Sequence, residues 1–240
     1  MQYSRLFLLL LAFSPILLSC DEGGLCLKGE GDVETRSLDV ADLEGIRVGG
    51  NSRVFIRKGS PQRVEVKGQP NVLDELETEV RDGVWEVGLN RCLRDHDPVE
   101  VYVTTPELNK ASVGGSGYVE LEDVFESNEF DASVSGSGDI KLRLAANRLN
   151  SRISGSGTIT AAGVATRHDI SISGSGRNSS LDLTTREADV DISGSGRAEL
   201  NVEDRLDVDI SGSGRVYHWG NPSINADVSG SGKVIKKERE

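Results

Sequence analysis

The chain has 240 residues, a formal net charge of −12, 28 glycines and only 5% aromatic residues. The acidic balance argues against non-specific nucleic-acid binding, which needs Lys and Arg to neutralise phosphates. The length suits one large domain or two small ones. Apolar residues at 36% can build a core, but a thin one of small aliphatics. The glycine excess over the usual ~7% is not collagen, because no G-X-Y period exists.

Taken from the N-terminus, Arg5 precedes the apolar run Leu6–Leu18, and Ser19-Cys20 follow. That order predicts a secretory signal peptide over residues 1–19. The run is too short for a membrane span. Leu17-Leu18-Ser19-Cys20 resembles the bacterial lipobox, which implies that Cys20 is diacylated and anchors the chain to a membrane without spanning it. The alternative is an ordinary signal peptide with an incidental cysteine. Asp21-Glu22 resemble the acidic surface-export signal of Bacteroidetes lipoproteins; in enterobacteria an aspartate there would mean inner-membrane retention. The expected address is an outer-membrane lipoprotein, surface-exposed or periplasm-facing. Residues 20–32 then form a lipidated tether. Two cysteines remain, Cys26 and Cys92. In an oxidising compartment they suggest one disulfide tying the tether to the body; two unpaired thiols are the alternative.

From residue 113 onward an aliphatic residue followed by Ser-Gly-Ser-Gly recurs. The aliphatics are Val113, Val134, Ile153, Ile172, Ile192, Ile210 and Val228, at intervals of 21, 19, 19, 20, 18 and 18 residues. The first copy reads Gly114-Gly115-Ser116-Gly117. Fifteen of the 28 glycines lie in these motifs, so they are not a flexible linker. A constant period near 20 residues means a stacked array. Positions −4, −2 and 0 before the motif are apolar in most copies, as in Leu206, Val208 and Ile210. Alternation resumes at +6 and +8, as in Ile140 and Leu142. This is the period of a strand with one buried face, and the repeats are too short to include a helix.

The predicted fold is therefore all-β, a single-domain parallel β-helix or β-solenoid over residues 33–233, with SGSG corners every 18–21 residues. Glycines at the second motif position (Gly136, Gly155, Gly174, Gly194, Gly212, Gly230) and at the fourth (Gly138, Gly157, Gly176, Gly196, Gly214, Gly232) are expected to take positive φ. Serine hydroxyls are expected to satisfy corner backbone groups. The longer interval before Ile192 places Asn178 and Ser180 inward, shifts the second strand to Leu181 and Leu183, and predicts a bulge or loosened corner. Upstream, Ile46–Ile56, Val64/Val66, Val84–Leu89 and Val99–Val103 read as degraded turns. About three of them fit between Val48 and Val113, giving roughly ten turns in all, near 48 Å long. Residues 234–240 form a charged tail that discourages edge pairing.

The GSG turns, Leu43-Glu44-Gly45-Ile46-Arg47-Val48, the strand Val99–Val103 closing in Thr105-Pro106-Glu107-Leu108, and the lipobox together resemble the head GIN domain family, described as auto-transporter adhesins and common in Bacteroidetes. The resemblance covers about residues 33–233. It implies a right-handed parallel β-helix shaped like pectin lyases but without their catalytic residues, and a role in cell adhesion.

No catalytic residues, cofactor or metal ligands are expected. His96, His168 and His218 lack metal-ligand spacing, and no nucleophile elbow or phosphate-binding loop is present. The outward positions are more distinctive. Position −1 holds Asp191, Asp209 and Asp227, with Asp169, Asp189 and Asp207 at −3. Position +5 holds Arg177, Arg197, Arg215 and Lys233. Each corner is expected to set an acidic rung beside a basic one, partly offsetting repulsion between stacked like charges; calcium binding by the acidic ladder is the alternative. Tyr217 and Trp219 fall on the outward parity, either to stack on a sugar ring or to cap the last turn. The expected function is a lipid-anchored, non-catalytic envelope module that binds a glycan or an envelope protein, with self-association left open. A periplasmic scaffold and a polysaccharide-active enzyme on the same fold are the alternatives.

Overall fold

Strict alternation of apolar and polar residues leaves each strand with one face that must be buried. In a chain of short repeats only stacking of successive turns can bury it. The computed structural model describes residues 26–238; the expected signal peptide and Cys20 lie outside the described residues.

The N-terminal strands are β1 (Leu27–Lys28), β2 (Glu34–Leu38), β3 (Gly45–Gly50), β4 (Arg53–Lys58) and β5 (Arg63–Gly68). A single helical turn, α1 (Pro70–Leu73), leads to β6 (Val80–Arg81), β7 (Val84–Val87), β8 (Leu93–Arg94) and β9 (Glu100–Thr105). The repeat region follows as β10 (Lys110–Gly115), β11 (Tyr118–Leu121), β12 (Phe125–Gly136), β13 (Asp139–Gly155), β14 (Thr158–Gly174), β15 (Arg177–Gly194) and β16 (Arg197–Gly212). It ends in β17 (Arg215–Trp219), β18 (Ser223–Gly230) and β19 (Lys233–Lys236).

Corner aliphatics stack in register: Val48 on Val113, Val113 on Val134, then Ile153, Ile172, Ile192, Ile210 and Val228 in turn. The chain is a β-solenoid of about seven turns rather than ten. The difference lies between Val48 and Val113, where three turns were expected. Instead, β10 and β11 pair directly with β3 and β4. The segment between them supplies one rung, β7 and β9, on the opposite side of β3 and β4. It also supplies a cap, in which β5 runs antiparallel to both β2 and β9. The first rung in sequence is thus the second in space.

The core is a column of small aliphatics enclosed by the stacked rungs, with the large buried rings Trp85, Phe125 and Phe130 confined to its N-terminal part. At the other end, the inward residues Ile224 and Val228 of β18 are 44% and 38% exposed, because no further described rung stacks on them. At the long repeat, Asn178 and Ser180 are buried, as is Leu183. The register against β14 slips after Ser179. The corner itself stays in register, so the irregularity is a bulge. Leu181 is half-buried rather than inward-facing, since the bulge breaks the alternation there.

The two motif glycines are required for different reasons. Those at the second position take positive φ, from 113° at Gly115 to 131° at Gly136. Those at the fourth position do not. There a side chain is excluded by the preceding rung. Corner backbone groups are satisfied from rung to rung: the Ser195 N–H donates to the Gly174 carbonyl and Arg197 N–H to the Gly176 carbonyl, at 2.8 and 3.0 Å. The corner hydroxyls expected to do this instead face solvent.

Candidate functional site

Each turn presents two outward faces, one on the strand before the SGSG corner and one on the strand after it. The face after the corner carries the +5 column. Arg177, Arg197 and Arg215 stack in register, followed by Lys233. Like strands lie about 4.8 Å apart, so four cations occupy one line. Arg197 approaches Glu199 at 3.6 Å and stands 5.2 Å from the centre of the Tyr217 ring. Arg177, Arg215 and Lys233 are exposed and form no ion pair among the described residues. Alongside them run the exposed corner serines Ser175, Ser195, Ser213 and Ser231.

Tyr217 is half-buried and receives a cation from each side along the stack: Arg197 from the rung before and Lys237, at 5.6 Å, from the stretch after. Trp219 is half-buried opposite Asn201. Neither residue caps the final turn. That position belongs to β18 and β19, which pair beyond β16 and β17. The cation–π contacts already occupy the Tyr217 ring, which weakens its use as a flat platform for a sugar.

The face before the corner carries the acids. Asp191, Asp209 and Asp227 are exposed and line a shallow groove of about 360 Å³ with neighbouring serines. They do not pair with the +5 cations, because the corner turns the two columns onto different faces. Repulsion is offset elsewhere, by arginines at position −5. Arg167 binds Asp169 at 2.7 Å and reaches Asp189 at 3.4 Å; Arg148 binds Asp169 at 3.1 Å, and Arg205 binds Asp207 at 2.7 Å. Burial, followed by the nearby Asp191 charge, holds the Asp189 carboxyl above the usual carboxylate range. No group of three or more His, Cys, Asp or Glu side chains among the described residues is placed to hold a metal ion. In-register stacking sets the carboxylates in two columns, at −1 and −3, spread along the strands and from rung to rung, whereas calcium needs six to eight oxygens around a point.

The sequence reading missed a second aromatic cluster. Phe55 stacks on Tyr102 with ring centres 5.4 Å apart, and Tyr118 tilts against Phe55 at 5.9 Å. Arg53 lies over both Phe55 and Tyr118, and Lys141 over Tyr118. The Tyr102 hydroxyl donates to Glu100, and Lys67 also binds that carboxylate, holding it below its usual range. Phe55 and Tyr102 each sit at an outward position of an alternating strand, which was a visible signal. Their meeting depends on the rung order described above.

Two further features are structural. Cys26 and Cys92 are joined as a disulfide, their Cα atoms 4.8 Å apart, beside the short β1–β8 pairing. A cleft of about 620 Å³ beside the Gly49-Gly50 corner is lined by Glu77, Glu86, Arg91 and His96. The His96 Nδ1–H donates to the neighbouring Asp97 carbonyl at 2.7 Å, its one hydrogen bond among the described residues. No helix among the described residues is long and apolar enough to cross a membrane.

Residues 42–222 match the family model described as "Putative auto-transporter adhesin, head GIN domain". Among solved structures, the chain is similar to a "putative adhesin" from Bacteroides fragilis, at 20% identity and a TM-score of 0.83, covering 88% of this chain and all of that one. It is also similar to a "Putative lipid binding protein" from Parabacteroides distasonis, at 22% identity and 0.76. A "putative adhesin" from the same organism matches at 24% and 0.74. Each of the latter two covers 88% of this chain and 99% of its own. At these identities the likeness establishes the fold. No curated protein matches the chain.

Proposed function

Because the chain belongs to the head GIN domain family, we propose that it is a cell-envelope binding module of the adhesin type, non-catalytic and anchored through a lipid on Cys20. The observation that carries this reading is the +5 column: cations in register over four rungs, three of them exposed and without an ion-pair partner among the described residues, in a protein of net charge −12. A rigid, repetitive, charged strip suits attachment to a repetitive polymer, and it offers no concave pocket in which a bond could be desolvated and cleaved.

The test is an array of surface polysaccharides scored for both retention of the protein and release of shortened product. Retention without product supports the module. Product release makes it an enzyme. Retention of an envelope protein and of no polymer makes it a scaffold. Protease treatment of intact cells, and fractionation of a Cys20→Ser variant, address the anchor. The module reading expects cleavage from outside and loss of the variant from the membrane fraction.

A further inference from the structure

We infer that the +5 ladder binds an acidic glycan, one carrying a carboxylate or sulfate on each sugar, laid along the solenoid axis with one anionic group per rung. The inference rests on the adhesin reading and names the ligand class of that same face.

Three features select this ligand. The first is geometry. Arg177, Arg197, Arg215 and Lys233 form a single column at a constant spacing of about 4.8 Å, with adjacent rungs in register. A polymer with a short, regular repeat along its axis can keep bringing anionic groups to this column from rung to rung. The second is chemistry. Guanidinium groups bind carboxylates, and tetrahedral oxyanions such as sulfate, through paired hydrogen bonds. The serine column beside them supplies exposed hydroxyls for neutral sugar oxygens, and among the described residues the hydroxyls of Ser175, Ser195, Ser213 and Ser231 are committed to no partner. The third is the field of the whole molecule. One line of cations on an otherwise acidic protein fits a thin chain better than a plane of charge. An anionic bilayer, being a plane of charge, would also meet Glu199, which sits beside Arg197, and more of the surrounding acidic surface than a thin chain does.

The experiment titrates the full-length protein with oligogalacturonates of two to eight sugars, following Trp219 fluorescence and heat of binding. Sulfated and neutral oligomers of matched length, single-stranded DNA and vesicles of anionic phospholipid form separate arms. Affinity is expected to rise with each sugar up to about four, the number of cationic rungs, and then level off. Binding should weaken with salt, by counterion release from about four contacts. An Arg177→Gln/Arg215→Gln/Lys233→Gln variant should bind about tenfold more weakly or worse while keeping its melting temperature. An Asp191→Asn/Asp209→Asn/Asp227→Asn variant should bind at least as well as the parent.

Equal binding of the neutral oligomer, equal binding of DNA, tighter binding of vesicles, or an unchanged triple-glutamine variant would each overturn the inference. If the protein is retained by other polymers on the array but by no acidic oligomer, the adhesin reading survives and this assignment falls. If no polymer retains it, both fail.

Discussion

Gly214 lies against Ile192 of the preceding rung so closely that a Cβ on it would stand 2.6 Å from Ile192 Cγ2. Gly114, in the first motif copy, has its nearest such neighbour at 3.9 Å, the Val48 carbonyl oxygen, and does not use positive φ. Both lie in a corner motif, but Gly114 stands where the other copies carry serine, and the two differ in what they forbid. Gly214→Ala should overpack the corner and cost about 1–3 kcal/mol. In a chain of this size that lowers the melting temperature by roughly 2–4 °C per kcal/mol. Gly114→Ala should stay within about 0.5 kcal/mol of the parent. Thermal melts of the two variants check this, and equal losses would rule out the packing explanation.

The contrast shows what the sequence made legible. Rung period, strand parity and corner position all follow from local pattern, because each repeat meets a near-copy of itself. The placement of β10 on β3 does not, because that pairing spans 65 residues and depends on which of several strand edges is left free by the cap. For the same reason the outward parity of Phe55 and Tyr102 was legible, but their meeting with each other and with Tyr118 was not. The −1 and +5 ladders were both visible as columns. Their expected pairing failed because a corner that reverses the chain also turns the outward side chains onto separate faces.

The acidic column gives a second expectation. Asp191, Asp209 and Asp227 stand on adjacent rungs in register, without an ion pair among the described residues. Like charges directly opposite on neighbouring strands repel by a few tenths of a kcal/mol each. The triple asparagine variant should therefore be slightly more stable than the parent in dilute buffer, and the gain should vanish as salt screens the charges. Asp169→Asn, which removes the partner of Arg148 and Arg167, should go the other way. Denaturant titrations at two ionic strengths distinguish these signs. A calcium-dependent rise in the parent's midpoint, abolished in the triple variant, would instead mean that the ladder holds the ion.

The Cys26–Cys92 bond spans 66 positions and encloses the whole N-terminal cap. Chain entropy assigns a loop of that length about 4 kcal/mol. A Cys26→Ser/Cys92→Ser variant should show a lower denaturation midpoint by a corresponding amount. Amides in β1 and β8, which hold only a two-residue pairing, should become fast-exchanging under conditions where the rungs around Ile172 and Ile192 remain protected. An unmoved midpoint would mean that the unfolded cap is already ordered without the bond.

His168 sits fully buried in the −4 column, where neighbouring rungs place Leu149 and Ala188. Its Nε2 bonds the Ser151 hydroxyl at 2.9 Å, and its Nδ1 has no partner. Burial in this apolar layer pulls its pKa down from 6.5 to about 3. Since the unfolded chain binds a proton near pH 6.5 and the folded chain does not until about pH 3, protons favour unfolding throughout that window. The neutral ring's stability advantage is complete above pH 6.5 and falls by about 1.4 kcal/mol per unit as the pH drops toward 3. Leu is the natural replacement, because it already occupies this column at positions 149 and 206. His168→Leu should remove this part of the pH dependence, while costing about 1 kcal/mol at pH 7 through the stranded Ser151 hydroxyl. The difference between parent and variant isolates the histidine, since carboxylate titrations are common to both. A difference that stays flat from pH 7 to pH 4 would place the ring in contact with water and contradict its burial.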